Sequence, residues 1–222
     1  MTLDQIWNLI VLMLSVTGVT LKIFAITVVI AVPLGLLVAL GRMSKIKVIS
    51  GIVRFYQMIM RGTPLILQLL FVYFGPKYIL MAFGVTISYD RFTACVIAFI
   101  LNYAAYFGEI FRSGIQSIPA GQYEAGKVLG YNKKQTFRHI ILPQVVKRVI
   151  PNLGSEFMVL LKDTALASVI AVEELFTITN KMVTFYSSVV PFIIAGIFYL
   201  VMNALVEQTF TRIEKKMDYY KG

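Results

Sequence analysis

The sequence predicts an all-α integral membrane protein with five transmembrane helices, its N-terminus outside and its C-terminus in the cytoplasm. Three observations predict it. Apolar residues make up 58% of the 222 and charged residues only 14%, against about 25% charged in soluble domains. Mean hydropathy is +0.78, and the charges are separated by long apolar runs. The basic residues gather on one side of those runs. The composition excludes a disordered chain, and a single cysteine excludes a disulfide scaffold.

Charge gaps place the elements. Lys22 to Arg42 encloses 19 uncharged residues, Arg61 to Lys77 encloses 15, Arg91 to Glu109 encloses 17 and Lys181 to Glu207 encloses 25. These runs predict spans near 14–41, 62–83, 92–112 and 186–207. A weaker span, 151–172, starts at Pro151 and carries Glu156, Lys162 and Asp163. Residues 4–13, with Trp7, read as a short interfacial helix. The first charge is Asp4, so no cleaved signal peptide is expected. The whole chain, 1–222, reads as one membrane domain.

Orientation follows from the cations. Arg42, Lys45, Lys47, Arg54 and Arg61 follow span one. Arg112, Lys127, Lys133, Lys134, Arg138, Lys147 and Arg148 lie between spans three and four. Arg212, Lys215, Lys216 and Lys221 follow span five, which puts sixteen of the 21 lysines and arginines on one side. That side is cytoplasmic by the positive-inside rule. The formal charge of +10 is then a topological signal rather than a sign of nucleic acid.

The cytoplasmic loop 113–150 is the most informative stretch. Pro119 and Gly121 punctuate its start, Gly130 offers a left-handed helix stop, and Asn132 caps a second helix from about Lys133 to Ile141, ended near Pro143. A compact helix–turn–helix results, with Val128, Leu129, Phe137, Ile140 and Ile141 expected to pack it onto its neighbours. Gly121 to Lys127 imitates the spacing of a phosphate-binding loop. Val128 follows it where Ser or Thr is needed, and no strand precedes it, so nucleotide binding there is excluded.

Glu124-Ala125-Gly126, then Gly130, then Ile140-Ile141-Leu142-Pro143, resembles the E-A-A loop of ABC importer permeases; only Gly126 departs from the pattern, small for small. Arg61-Gly62-Thr63-Pro64-Leu65 and Leu161-Lys162-Asp163-Thr164-Ala165-Leu166 look like the polar amino-acid branch of that family. The resemblance covers about residues 15 to 215 and implies a type I importer permease fold in a bacterial cell membrane. It implies that Tyr123, Glu124, Ala125, Gly126, Lys127, Gly130 and Tyr131 form the coupling helix region. The implied partners are a second permease, identical or related, two cytoplasmic ATPase subunits that hold ATP and magnesium, and an extracytoplasmic amino-acid-binding protein. That protein would meet Lys77, Asp90, Arg91, Glu173, Glu174 and Lys181. No cofactor is expected on this chain.

Charges inside a bilayer cost about 2.5–3.5 kcal/mol each on insertion scales, so they face cavities or partners. Glu156 and Asp163 are seven residues apart and share a helix face. Asn102, Tyr106, Glu109 and Ser113 form a stripe expected to line a polar cavity, flanked by Tyr103. A zwitterionic amino acid needs an anion for its ammonium and donors for its carboxylate. Asp163 suits the first role and Asn102 or Tyr103 the second, with Glu156 nearby. Lys162 can hold a carboxylate or pair with Asp163 or Glu109. The alternative for Asp163 and Lys162 is an ion pair that fixes packing. One Cys and one His supply no metal set, and no nucleophile arrangement suggests an enzyme. The competing function is a self-contained secondary carrier or channel for small polar solutes.

Overall fold

The computed structural model describes residues 1–217; Lys221, counted above among the cytoplasmic cations, lies outside them. The described residues form nine α-helices and no strand: α1 (Leu3–Arg42), α2 (Lys47–Gly62), α3 (Leu65–Met81), α4 (Arg91–Gln116), α5 (Ala120–Val128), α6 (Lys133–Thr136), α7 (Leu142–Asp163), α8 (Leu175–Tyr186) and α9 (Val190–Lys216). A π-turn at Phe137–Ile141 joins α6 to α7, and a 3-10 segment at Thr164–Ile170 continues α7.

The 4–13 helix is not separate. Thr2 and Gln5 make a reciprocal capping box, and α1 then runs 40 residues without a break, about 60 Å. Its buried register, Leu9, Met13, Thr17, Thr20 and Ile23, crosses the expected boundary unbroken. The span expected at 151–172 begins at Leu142 instead. Pro143 does not end a helix, because it falls in the first turn of α7, where a missing N–H costs little. The π-turn before it shifts the register, with Leu142 N–H donating to the Phe137 carbonyl. Pro151 lies inside α7. Two helices were not foreseen: α2, in the basic stretch after span one, and α8, between the expected spans four and five.

By length and apolarity, α1, α4 and α9 each suffice to cross a membrane, and α2 with α3, bent by 109°, makes a fourth candidate. Their apolar outer surfaces fit that reading: Val29, Leu37, Ile193, Leu200 and Leu205 are exposed.

The main core joins α1, α3, α4, α7 and the 3-10 segment through Ile23, Ala31, Leu69, Phe99, Phe107, Leu160 and Ile170. Glycines set its spacing. A Cβ on Gly35 would lie 2.6 Å from Phe107 Cβ, and one on Gly108 would lie 2.5 Å from Val38 Cγ1. The backbones of α1 and α4 therefore approach as in small-residue membrane contacts. Gly154 does the same for α7 against Phe210 of α9, at 2.8 Å. A smaller cluster of Ile118, Ile141, Val145 and Val149 fastens the segment between α4 and α7 to α7, with Ile110 and Phe111 of α4 against it.

Gly108→Val should separate α1 from α4. We expect a loss of about 1–3 kcal/mol, the usual cost of overpacking, read as a lower midpoint of thermal unfolding in detergent. An unchanged midpoint would contradict this packing.

Candidate functional site

Tyr103 sits near the middle of α4 with 1% of its surface exposed. Its ring lies between Phe99, parallel at 6.1 Å, and Phe107, tilted at 5.9 Å, so the hydroxyl has a fixed direction. It donates to Asp163 Oδ2 at 2.7 Å. Asp163 is the last residue of α7, half-buried, where the chain tightens into the 3-10 segment and Thr164 donates to the Leu161 carbonyl at 2.6 Å. Glu156 is half-buried two turns earlier on α7. A phenol, a carboxylate it orients and a second carboxylate can receive a cation and one further donor or acceptor.

Lys162 is placed elsewhere. It lines an open groove of about 400 Å³ between α7 and α9, with Ser155, Tyr199 and Asn203. Glu109 has arginine partners instead of Lys162. Arg112 binds it with two nitrogens, and Arg61 lies 3.6 Å away while stacking over Tyr106 at 5.6 Å.

Asn102 is buried beside Tyr103, but both hydrogens of its amide are in use. Nδ2 donates to the Met60 carbonyl at 3.0 Å and to Gln68 Oε1 at 2.9 Å. The polar stripe on α4 thus receives the junction of α2 and α3. Asn102 takes Met60, and Tyr106 and Glu109 take Arg61. Ser113 turns back to its own helix, donating to the Ile110 carbonyl at 3.0 Å. The signal for this was present, since Lys47, Ser50, Arg54, Gln57 and Arg61 form a polar stripe on α2.

The segment between α4 and α7 has the expected turn. Gly130 has φ +74°, and Tyr131 N–H donates to the Gly126 carbonyl at 3.0 Å while Gly130 N–H donates to that of Lys127 at 3.0 Å. That is the glycine-dependent helix stop. Asn132 caps α6 with Gln135 reciprocating. The apolar residues divide. Ile141 is buried, but Val128 is 88% and Leu129 65% exposed, and Phe137, Tyr123 and Tyr131 also reach the surface. Glu124, Ala125 and Lys127 are exposed beside them. Gly126 is not interchangeable with alanine, because a Cβ there would lie 2.4 Å from Thr136 Cγ2 and 2.6 Å from its Oγ1. The imitation phosphate loop is helix α5, with no loop to cradle a phosphate.

At the opposite end, Lys181 donates to Glu173 at 2.5 Å and holds its carboxyl below the usual range. Asp90 caps α4 and is held low by the Thr93 hydroxyl, 2.6 Å away. Arg91 reaches the Ala171 carbonyl at 3.4 Å. Glu174 is not a surface group. Fully buried, it caps α8 by accepting from Phe176 N–H at 2.8 Å and Thr177 N–H at 2.7 Å, with Tyr199 donating at 3.2 Å. Burial pushes its carboxyl up, against those donors. Among the described residues, no cluster of three His, Cys, Asp or Glu could hold a metal.

Comparison with known proteins gives these features a context. Residues 31–219 match the family of binding-protein-dependent transport system inner membrane components. The octopine transport system permease protein OccM of Rhizobium radiobacter is 33% identical over 94% of this chain and 87% of its own length. The L-cystine transport system permease protein TcyB of Bacillus subtilis is 39% identical over 84% of this chain and 78% of its own length. A crystal structure of an amino acid ABC transporter with histidines contains a chain 36% identical to this one. It superposes at a TM-score of 0.86, over 97% of this chain and 99% of that one. The stacked tyrosine and its carboxylate, the glycine-stopped helix α5 and the apolar flanks thus belong to a membrane-embedded, non-enzymatic ABC importer permease of the type I fold, and the chain is a member of the binding-protein-dependent transport system inner membrane component family.

Proposed function

We propose that this chain is the transmembrane subunit of an ATP-driven importer of polar amino acids, basic ones included. It forms half of the substrate pathway, and a second permease, identical or related, completes it. The observation that carries the reading is the Tyr103–Asp163 contact, an oriented carboxylate on membrane-embedded helices. Asp163 takes the substrate ammonium, Tyr103 orients it, and Glu156 adds negative charge for a cationic side chain. Lys162, on the α7–α9 groove, is placed to meet a carboxylate entering from that side. The relatives' substrates, octopine and L-cystine, support the amino-acid class.

The apolar surface of α5 around Val128 and Leu129 supports docking of an ATPase subunit, which supplies ATP and magnesium. Tyr123, Glu124, Ala125, Gly126, Lys127, Gly130 and Tyr131 shape that surface. Five spans, by α1, α2–α3, α4, α7 and α9, with the N-terminus outside, agree with the clustering of basic residues on one side. An amino-acid-binding protein then meets the opposite face near Lys77, Asp90, Arg91, Glu173 and Lys181.

The first test is ATP hydrolysis in proteoliposomes holding this chain, its ATPase and its binding protein, with each polar amino acid added in turn. Stimulation by one or a few is expected. Transport by this chain alone would favour the self-contained carrier.

Asp163→Asn can still accept from Tyr103, so assembly should survive. Losing a charged hydrogen bond of about 1.5–3 kcal/mol should weaken the response to amino acid by roughly ten- to hundredfold. Unchanged stimulation would remove Asp163 from the site.

Gly126→Ala should push α6 away from α5 and lower ATPase co-purification, while Gly126→Ala with Thr136→Ser, lacking the clashing methyl, should recover part of it. Full co-purification by the single variant would contradict a rigid coupling element.

A further inference from the structure

The Arg61–Leu65 motif has no role in the reading above, yet it forms a sharp corner between two helices. The chain turns by 109° between α2 and α3 across Thr63 and Pro64. Thr63 is extended, with φ −119° and ψ 147°, as the residue before a proline prefers. The C-terminus of α2 lies there, and its last carbonyls need donors from outside the helix.

Two side-chain amides supply them. Gln68 Nε2 lies 3.0 Å from the Met60 carbonyl, 3.2 Å from that of Thr63 and 2.8 Å from Thr63 Oγ1. Asn102 Nδ2 donates to the same Met60 carbonyl and to Gln68 Oε1. Gln68 therefore closes the corner within itself, and Asn102 fastens it to α4. Arg61 adds a second tie, to Tyr106 and Glu109 of α4. The residue after Asn102 is Tyr103, which holds Asp163 of α7. Neighbouring residues of one rigid helix thus grip the corner and the carboxylate.

We propose that Asn102 and Gln68 are positioning residues that lock the α2–α3 corner to α4 at the level of the Tyr103–Asp163 contact. Movement of α7 against α4 when substrate reaches Asp163 is then carried into α2 and α3. Asn102 acts through Gln68 and Met60 without touching substrate. This rests on the reading above, in which substrate at Asp163 stimulates ATP hydrolysis.

The test uses the reconstituted complex with Asn102→Leu and Gln68→Met, which keep size and remove the amides. Each should leave the half-saturating amino-acid concentration within about twofold and cut maximal stimulation about tenfold. The double variant should be no worse than either single one, because both break one unit. A half-saturating concentration raised about tenfold by Asn102→Leu alone would overturn the proposal, since that marks a substrate contact. Unaltered stimulation in both variants would also overturn it. Asn102→Asp and Gln68→Glu repeat the test should an apolar variant not assemble.

Spin labels at exposed Phe55 of α2 and Phe71 of α3 read the corner directly. One narrow distance in the otherwise unaltered chain should broaden in both variants, and an unbroadened distance would refute the lock. A complex that no amino acid stimulates would refute the transport reading instead, leaving the label distances to judge the corner.

Discussion

A carboxylate placed among membrane helices needs a partner, because the surrounding lipid offers it neither water nor counterions. Asp163 has the Tyr103 hydroxyl, and much of the structure depends on where that hydroxyl points. Phe99 and Phe107 fix the ring from two sides, and Phe157 of α7 packs edge-on against Phe107 at 5.6 Å. The same aromatic packing joins α4 to α7 and aims the polar contact between them. A single phenol leaves the carboxylate short of its full complement of donors, which suits the proposed role of accepting an ammonium and releasing it.

α4 is the reference element. Its glycine at 108 and the one at 35 bring it against α1 at backbone distance, so it cannot slide without disturbing α1. Its C-terminal end and α7 share the cluster of Ile118, Ile141, Val145 and Val149 with the segment that carries α5 and α6. In the proposed reading, a push on α5 is therefore delivered to α4 and α7 together, the two helices whose contact holds Asp163. Gln144, which bridges to Gln122 at 3.0 Å and to the Ile140 carbonyl at 2.8 Å, stiffens the same junction. The loop's own stops, Gly130 and the Asn132 cap, fix the ends of α5 and α6.

Much of the architecture was legible because lipid imposes a simple demand. Charge-free runs placed helices at α3 and α4 within a few residues, and found α9 but not the basic last turns that extend it to Lys216. Asp163 and Tyr103 were each singled out from polarity alone, but their bond, 60 positions apart in sequence, leaves no periodic trace. What misled was inverted or compensated chemistry. α2 buries only Gln57, against the Ala105 carbonyl of α4, and leaves Phe55 and Met58 exposed along with Lys47 and Arg54, so its basic stretch read as loop. Glu174 read as a surface charge because its burial depends on helix-end donors and Tyr199. Pro143 and Pro151 read as boundaries because first-turn placement and a π-turn are not visible in composition. The exposed Val128 and Leu129 read as packing residues, since apolar character alone does not say which partner covers it.

The most direct test of the account is a cryo-electron microscopy structure of the assembled transporter with its amino acid bound. The account predicts the substrate ammonium within hydrogen-bonding distance of the Asp163 carboxylate, with the Asn102 amide still on Met60 and Gln68. A substrate whose ammonium lies away from Asp163, or whose carboxylate has drawn Asn102 off the α2–α3 corner, would contradict it.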